Sequence, residues 1–325
     1  MVFIVKYIKD TQEENFMSKQ FDIQYKKSQQ CVLDDFSKLD VILTNLLQKN
    51  STHLDCELSQ YLFSSSKRIR STLIFLFARA VTNNVSERQY NIAASIELIH
   101  NATLIHDDII DNSEFRRGRK TLHNTFTNKL AVIAGDFLFS LGFQNLIEND
   151  NSENMKVYTE TFKTLCKGEI EQFFNNGKIT DIDDYIEKSA YKTATLFSAG
   201  LNSAFSDCEN LVIKNAIKEF AYNFGIAFQI RNDLADVFET NSETKFTDDI
   251  KNGIYTAPII FAYEENPYIL NSNEILKDIK ITSALDKSIK LLQKYIDLSV
   301  DKLSCIEDNI YKQSIIQICL GLGDF

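Results

Sequence analysis

Apolar residues recur at three- and four-residue spacing along almost the whole chain, and the strict alternation of a half-buried strand persists nowhere. Val32, Phe36, Leu39, Ile42 and Leu46 predict an amphipathic helix over 31–48, broken at Asn50-Ser51-Thr52, with a short apolar turn resuming at 58–63. Further helices are predicted over 73–80, 87–105, 130–147, 164–174, 181–199 and 211–230. A restart follows at Thr256-Ala257-Pro258, where proline in the first turn is tolerated, and two amphipathic helices fall within 273–319. Gly135 lies inside the 130–147 helix, where it allows close helix packing. Residues 120–123 and 239–247 read as loops, and the tail from Gly321 to Phe325 as frayed. Residues 1–30 are polar and weakly patterned, a leader plus the first helix, with 1–20 a poorly ordered extension ahead of a single domain over 21–325. No period of 20–50 residues recurs. The expectation is one all-α bundle of roughly ten or more helices.

Composition supports helices and narrows the partners. Gly occurs 10 times and Pro twice in 325 residues, about half of average usage or less, so long segments run without a breaker. A formal charge of −10, from 35 basic and 45 acidic residues, argues against general affinity for nucleic acid. The six cysteines show no metal-type spacing and read as reduced thiols. The apolar patch Val2-Phe3-Ile4-Val5 is too short for a signal or a span, and Met17 could equally be the start. No uninterrupted apolar run reaches membrane length, so a soluble, cytoplasmic protein is expected.

The candidate chemistry lies where two apolar helices turn acidic. Asp107, Asp108 and Asp111 follow the apolar run 92–105; Asn232, Asp233 and Asp236 follow the run 220–230. At i, i+3 and i+4 spacing such carboxylates share a helix face, where like charges repel unless something neutralises them. One such cluster is most often a solvated helix end. Two of the same form suggest oxygen-ligand sites for Mg²⁺, which binds through a few carboxylates plus substrate phosphates. Lys67 and Arg70 stand at a helix start, where cations oppose the helix dipole; spaced i and i+3, they could grip a phosphate together.

In order and spacing these motifs resemble the trans-isoprenyl (polyprenyl) diphosphate synthases, from about Ser65 to Pro258. The carrying segments are Lys67-Arg68-Ile69-Arg70, Asp107-Asp108-Ile109-Ile110-Asp111 with Arg116-Arg117-Gly118, Lys192-Thr193, Phe228-Gln229-Ile230-Arg231-Asn232-Asp233-Leu234-Ala235-Asp236, and Lys245 with Asp248-Asp249. The resemblance implies an isoprenoid-synthase-type helical bundle with a central substrate cavity. It also implies Mg²⁺-dependent condensation of isopentenyl diphosphate with an allylic diphosphate, and a homodimer. By the same resemblance Asp107, Asp111 and Asp233 hold metal, with Asp108 and Asp236 in support. Arg116, Lys192 and Lys245 clamp the allylic diphosphate; Lys67, Arg70, His100 and Arg117 take the homoallylic one; Thr193 and Gln229 set polar atoms near the allylic cation.

In that family, bulky residues four and five positions before the first acidic motif close the product tunnel. Here these are Thr103 and Ala102, both small, which implies a medium- or long-chain product; Ile99, Phe137 and Phe139 are candidates for a deeper floor. The chain departs from the family at Ser65-Ser66, Ser71 and Ile254, and Asn replaces Asp at 232. A short-chain synthase and a non-catalytic subunit of a hetero-oligomer stay open. A terpene cyclase fits least: it needs Ser or Thr at 236 and Glu at 240, and this chain has Asp236 and Thr240.

Overall fold

The computed structural model describes residues 21–50, 52–63, 67–149, 152–238, 250–272 and 274–324. The apolar period builds helices throughout: α1 (21–29), α2 (Leu33–Lys49), α3 (Asp55–Phe63), α4 (Ile69–Thr82) and α5 (Glu87–Ile110). After a two-stranded hairpin, β1 (Phe115–Arg116) and β2 (Arg119–Lys120), come α6 (Leu122–Thr125), α7 (Asn128–Asn149), α8 (Ser152–Asn175), α9 (Ile182–Ser189), α10 (Thr195–Ala204) and α11 (Leu211–Phe238). The chain closes with α12 (Ala257–Glu265), α13 (Ile275–Ile281), α14 (Ala284–Asp301) and α15 (Ile310–Gly321).

Helices α4 and α5 bury residues on nearly every face and form the centre of the bundle, as expected of a helix apolar all round. A capping box starts α5: Gln89 N–H donates to Ser86 Oγ (3.2 Å) and Ser86 N–H to Gln89 Oε1 (3.0 Å). Phe36, Phe75 and Tyr90 stack across α2, α4 and α5. Beside them, buried Asp35 accepts two bonds from Arg79 (2.8 and 3.2 Å) and one from the Tyr90 hydroxyl. A buried carboxylate is tolerated when it is paired and hydrogen-bonded in this way. Helix α7 lies along α5, and Gly135 makes room for His106, whose Nε2 would stand 2.2 Å from an added Cβ.

Several boundaries differ from the pattern-based expectation. Residues 115–120 form a hairpin too short for alternation to reveal. Helix α8 begins twelve residues earlier than 164, and 273–319 holds three helices rather than two. Residues 321–324 of the tail are not frayed, because Leu322 is fully buried and Gly321 packs on Phe21 and Gln24 of α1; Phe325 lies outside the described residues. Among the described residues, α7 is long and apolar enough to cross a membrane, although no uninterrupted apolar run reaches that length; part of its apolar surface packs along α5. All six cysteines are free thiols.

Candidate active site

The C-terminal end of α5 carries the first acidic cluster. Asp107 is half-buried, and burial pushes its carboxyl up to about 6. Lys192 and Arg116 oppose that rise, while the carboxylates of Glu169 and Asp111 add to it. Lys192 Nζ lies 3.4 Å from Glu169 Oε1. Burial alone would lower this ammonium, yet Glu169, Asp107 and Asp111 together hold it above its ordinary value. One lysine thus stands among three carboxylates, and a further cation is electrostatically favoured.

Asp108 turns the other way. It is buried and accepts from Arg116 Nε at 2.5 Å and from the Tyr61 hydroxyl at 3.2 Å. The Tyr61 oxygen in turn accepts from Leu122 N–H at 3.1 Å.

The second cluster lies on α11. Asp233 is buried, accepting from the Tyr185 hydroxyl (2.5 Å) and from Gln229 Nε2 (2.8 Å). Gln229 Oε1 accepts from Thr193 Oγ1 at 2.6 Å, so Thr193, Gln229, Asp233 and Tyr185 form one hydrogen-bonded chain. Asp236 is half-buried one turn further along. Lys192 and Thr193 sit in a single π-helical turn, Ala190–Ala194, between α9 and α10. Such insertions re-aim side chains and are frequent at functional sites. Gly225 lets α11 approach this turn: an added Cβ would stand 2.3 Å from Ala194 Cα. The dipeptide therefore bridges the clusters, Lys192 toward α5 and Thr193 toward α11.

A cationic group adjoins the first cluster. Burial and the positive charges of Arg70, Arg117 and Arg116 hold His100 well below its usual range, so it is neutral. Burial lowers the Arg70 guanidinium to about 10, with the Glu97 carboxylate favouring its charge. Arg70 lies over the Phe197 ring at 4.5 Å, and its buried Nε has no hydrogen-bond partner among the described residues. Glu97 is itself buried and accepts from Ser71 Oγ at 2.6 Å. Arg117 occupies the left-handed region (φ 51°), followed by Gly118 (φ 76°), the two positive φ values that a tight type I′ hairpin requires. A bulky side chain is disfavoured in that conformation. Lys67 is directed elsewhere, paired with Asp22 at 2.5 Å and lying over the Phe21 ring.

Ala102 is fully buried, and Thr103 donates to the His100 carbonyl at 2.7 Å. Ile99 is fully buried. Phe139 stacks edge-on against Phe162 at 4.3 Å and lies beside His106, while Phe137 is half-buried against the core. Lys245, Asp248, Asp249, Thr240 and Ser65-Ser66 lie outside the described residues. Pattern reasoning passed over Tyr61, Glu97, Glu169 and Tyr185; the one available signal was an acidic residue inside an apolar run, as at Glu97.

The donor set suits a hard divalent cation: crowded carboxylates on α5, one with its carboxyl displaced upward, and an oriented carboxylate on α11. Among the described residues no three carboxylate, imidazole or thiol groups stand close enough to hold an ion alone.

Residues 53–294 match the polyprenyl synthetase family. The chain is 32% identical over 316 residues to a prenyl transferase of Cyanidium caldarium, covering 91% of this chain and 97% of that one. It is 30% identical over 305 residues to solanesyl diphosphate synthase 2, chloroplastic, of Arabidopsis thaliana, covering 87% and 73%. In fold it is similar to a decaprenyl diphosphate synthase from Rhodobacter capsulatus, with a TM-score of 0.83, 24% identity and coverage of 92% and 98%. This chain belongs to the polyprenyl synthetase family and is an enzyme of Mg²⁺-dependent prenyl transfer acting on isoprenoid diphosphates.

Proposed function

We propose that the enzyme condenses isopentenyl diphosphate with an allylic diphosphate to give an all-trans polyprenyl diphosphate of medium or long chain. The observation that carries this reading is the Lys192-Thr193 turn, which faces one acidic cluster with a cation and the other with a hydroxyl. Lys192 and Arg116, with Lys245, bind the allylic diphosphate. As its C–O bond breaks, the electron pair passes to the diphosphate oxygen, where these cations stabilise the developing charge. Thr193 and Gln229 direct oxygen atoms toward the allylic cation. Arg70, Arg117 and neutral His100 hold isopentenyl diphosphate so that its alkene attacks, and the proton then lost passes to the departed diphosphate; Lys67 joins them only by leaving Asp22. Asp107, Asp111 and Asp233, with Asp236 in support, would hold Mg²⁺, which would supply Lewis-acid neutralisation of the diphosphate. Asp108 acts by holding Arg116.

Small residues at Ala102 and Thr103, one turn and more before Asp107, support an open tunnel; so does the similarity to a chloroplastic solanesyl diphosphate synthase. We also read residues 21–325 as a single domain that works as a homodimer in the cytoplasm. Val132, Ile133 and Ile147 of α7 and nearby Phe126 are exposed and apolar, which supports a helical partner face.

The test is incubation of the purified enzyme with Mg²⁺, isopentenyl diphosphate and farnesyl diphosphate, followed by mass spectrometry. Products of about C30 or longer are expected, a chain that only an apolar tunnel accommodates. A stop at C15 or C20 would overturn the chain-length reading, and no condensation with any allylic primer would overturn the reading as a whole. Ala102→Phe should shorten the product; an unchanged length removes residue 102 from the tunnel.

A further inference from the structure

Helix α1 meets the start of α4 along one stripe. Phe21, Tyr25 and Gln29 recur at i, i+4 and i+8, with Asp22 beside Phe21. The Tyr25 hydroxyl donates to the Lys67 carbonyl and lies 2.6 Å from Thr72 Oγ1. Gln29 Nε2 donates to the same carbonyl at 3.3 Å and to Thr72 Oγ1 at 3.2 Å. Thr72 Oγ1 donates in turn to the Arg68 carbonyl at 2.9 Å. Arg68 itself is left-handed (φ 48°), an uncommon conformation that persists only where surrounding bonds hold it. These contacts fix the backbone over 67–72 and none of them involves the Lys67 ammonium.

That ammonium is held separately. Lys67 Nζ stands 2.5 Å from Asp22 Oδ1 and 5.0 Å from the centre of the Phe21 ring. Among the described residues this is the one ion pair either group makes. The same ring lies under the Arg231 guanidinium at 4.3 Å, so α1 reaches from the Lys67 turn to the helix of the second acidic cluster. Both side chains of the pair are 43% exposed, so it contributes little to the fold.

We propose that Asp22 is an internal competitor of isopentenyl diphosphate. It holds Lys67 away from the substrate, and binding exchanges its carboxylate for a diphosphate oxygen. The backbone stays where Tyr25 and Gln29 fix it, and only the lysine rotamer changes. Lysine suits such an exchange, because its flexible stem carries a point charge that needs no fixed plane. Asp22 is thus a positioning residue that sets affinity for the homoallylic diphosphate through Lys67, without touching the ligand. The inference rests on the prenyl-transfer reading.

Titration calorimetry of the full chain in EDTA, with isopentenyl diphosphate alone, tests it without turnover. Asp22→Asn should tighten binding by about 2- to 5-fold, the range that a half-exposed ion pair allows. Misfolding cannot produce such a gain. With farnesyl diphosphate and Mg²⁺ present, the same factor should appear in KM for isopentenyl diphosphate and not in kcat. Lys67→Met separates exchange from general charge: in that background Asp22→Asn should have no effect on affinity. Unchanged affinity in the single variant overturns the proposal, as does equal tightening in the Lys67→Met background. Weaker binding in Asp22→Asn also overturns it, because Asp22 would then hold Lys67 ready for the ligand. Any of these results beside an active wild type counts against this inference alone. A wild type that neither binds isopentenyl diphosphate nor condenses it overturns the prenyl-transfer reading, and this inference with it.

Discussion

The two acidic clusters sit at the ends of comparably apolar helices, but their carboxylates are held differently. On α11, Asp233 is oriented by Tyr185 and Gln229 and needs no further partner to be tolerated in the core. On α5, Asp107 has burial and two carboxylates against it, and Lys192 as its nearest relief. The second cluster is pre-organised; the first is left electrostatically incomplete. A site that must bind a polyanion together with cations benefits from both. The rigid carboxylate sets the register, and the unrelieved one makes cation binding favourable.

Losing either carboxylate should have the largest effect. Asp107→Ala and Asp233→Ala should each lower turnover by about 10³-fold, comparable to losing a key group that stabilises transition-state charge, with helicity by circular dichroism unchanged. Turnover near wild type in either variant would remove that residue from the metal site.

Tyr185→Phe separates orientation from ligation. It leaves Asp233 with one fewer donor in a buried position, so about 2 kcal/mol of stability should be lost and turnover should fall by roughly 10-fold, far less than in Asp233→Ala. Equal losses in the two variants would mean that Tyr185 does more than orient.

Arg117→Gly tests whether the strained hairpin residue is kept for binding. Relief of the left-handed backbone should raise stability by up to about 1 kcal/mol, while KM for isopentenyl diphosphate rises by about 10-fold. A variant that is no more stable and has an unchanged KM contradicts both assignments.

The smallest and sharpest test is pH. In EDTA the folded Asp107 carboxyl, near 6, binds its proton before the unfolded one, near 3.9. Its contribution is therefore favourable below about pH 4 and is lost as pH rises through about 6, a change on the order of 1–3 kcal/mol. His100 works oppositely, since its depressed value costs stability as pH falls below about 6.5. The difference between wild type and Asp107→Asn isolates the first term. Relative to wild type, the variant should gain stability between pH 4 and 7, and a pH-independent difference in denaturant midpoint would show that Asp107 is not so perturbed.

Much of the fold was legible because helix formation depends on local spacing. The 3.6-residue period needs no knowledge of the partner surface, and a chain with so few breakers has little alternative. The hairpin escaped notice because two-residue strands carry no period. The candidate site was legible as residue types in a familiar order, and its wiring was not. Nothing local distinguishes Asp108 from Asp107, although one is buried against Arg116 and Tyr61 and the other faces Lys192. Lys67, in the expected motif, is directed to Asp22 instead.

The sequence by itself determined that this protein is helical, that acidic clusters terminate two of its apolar helices, and that cations stand at matching intervals. These are properties of composition and short-range period. Only the tertiary structure decided which carboxylate is relieved and by what. Tyr61 meets Asp108 across 47 residues and Tyr185 meets Asp233 across 48, because α3 and α9 happen to pack beside α5 and α11. Burial and Coulomb interaction act through space, with no dependence on separation along the chain, so the charge state of a site is settled only once the helices are packed.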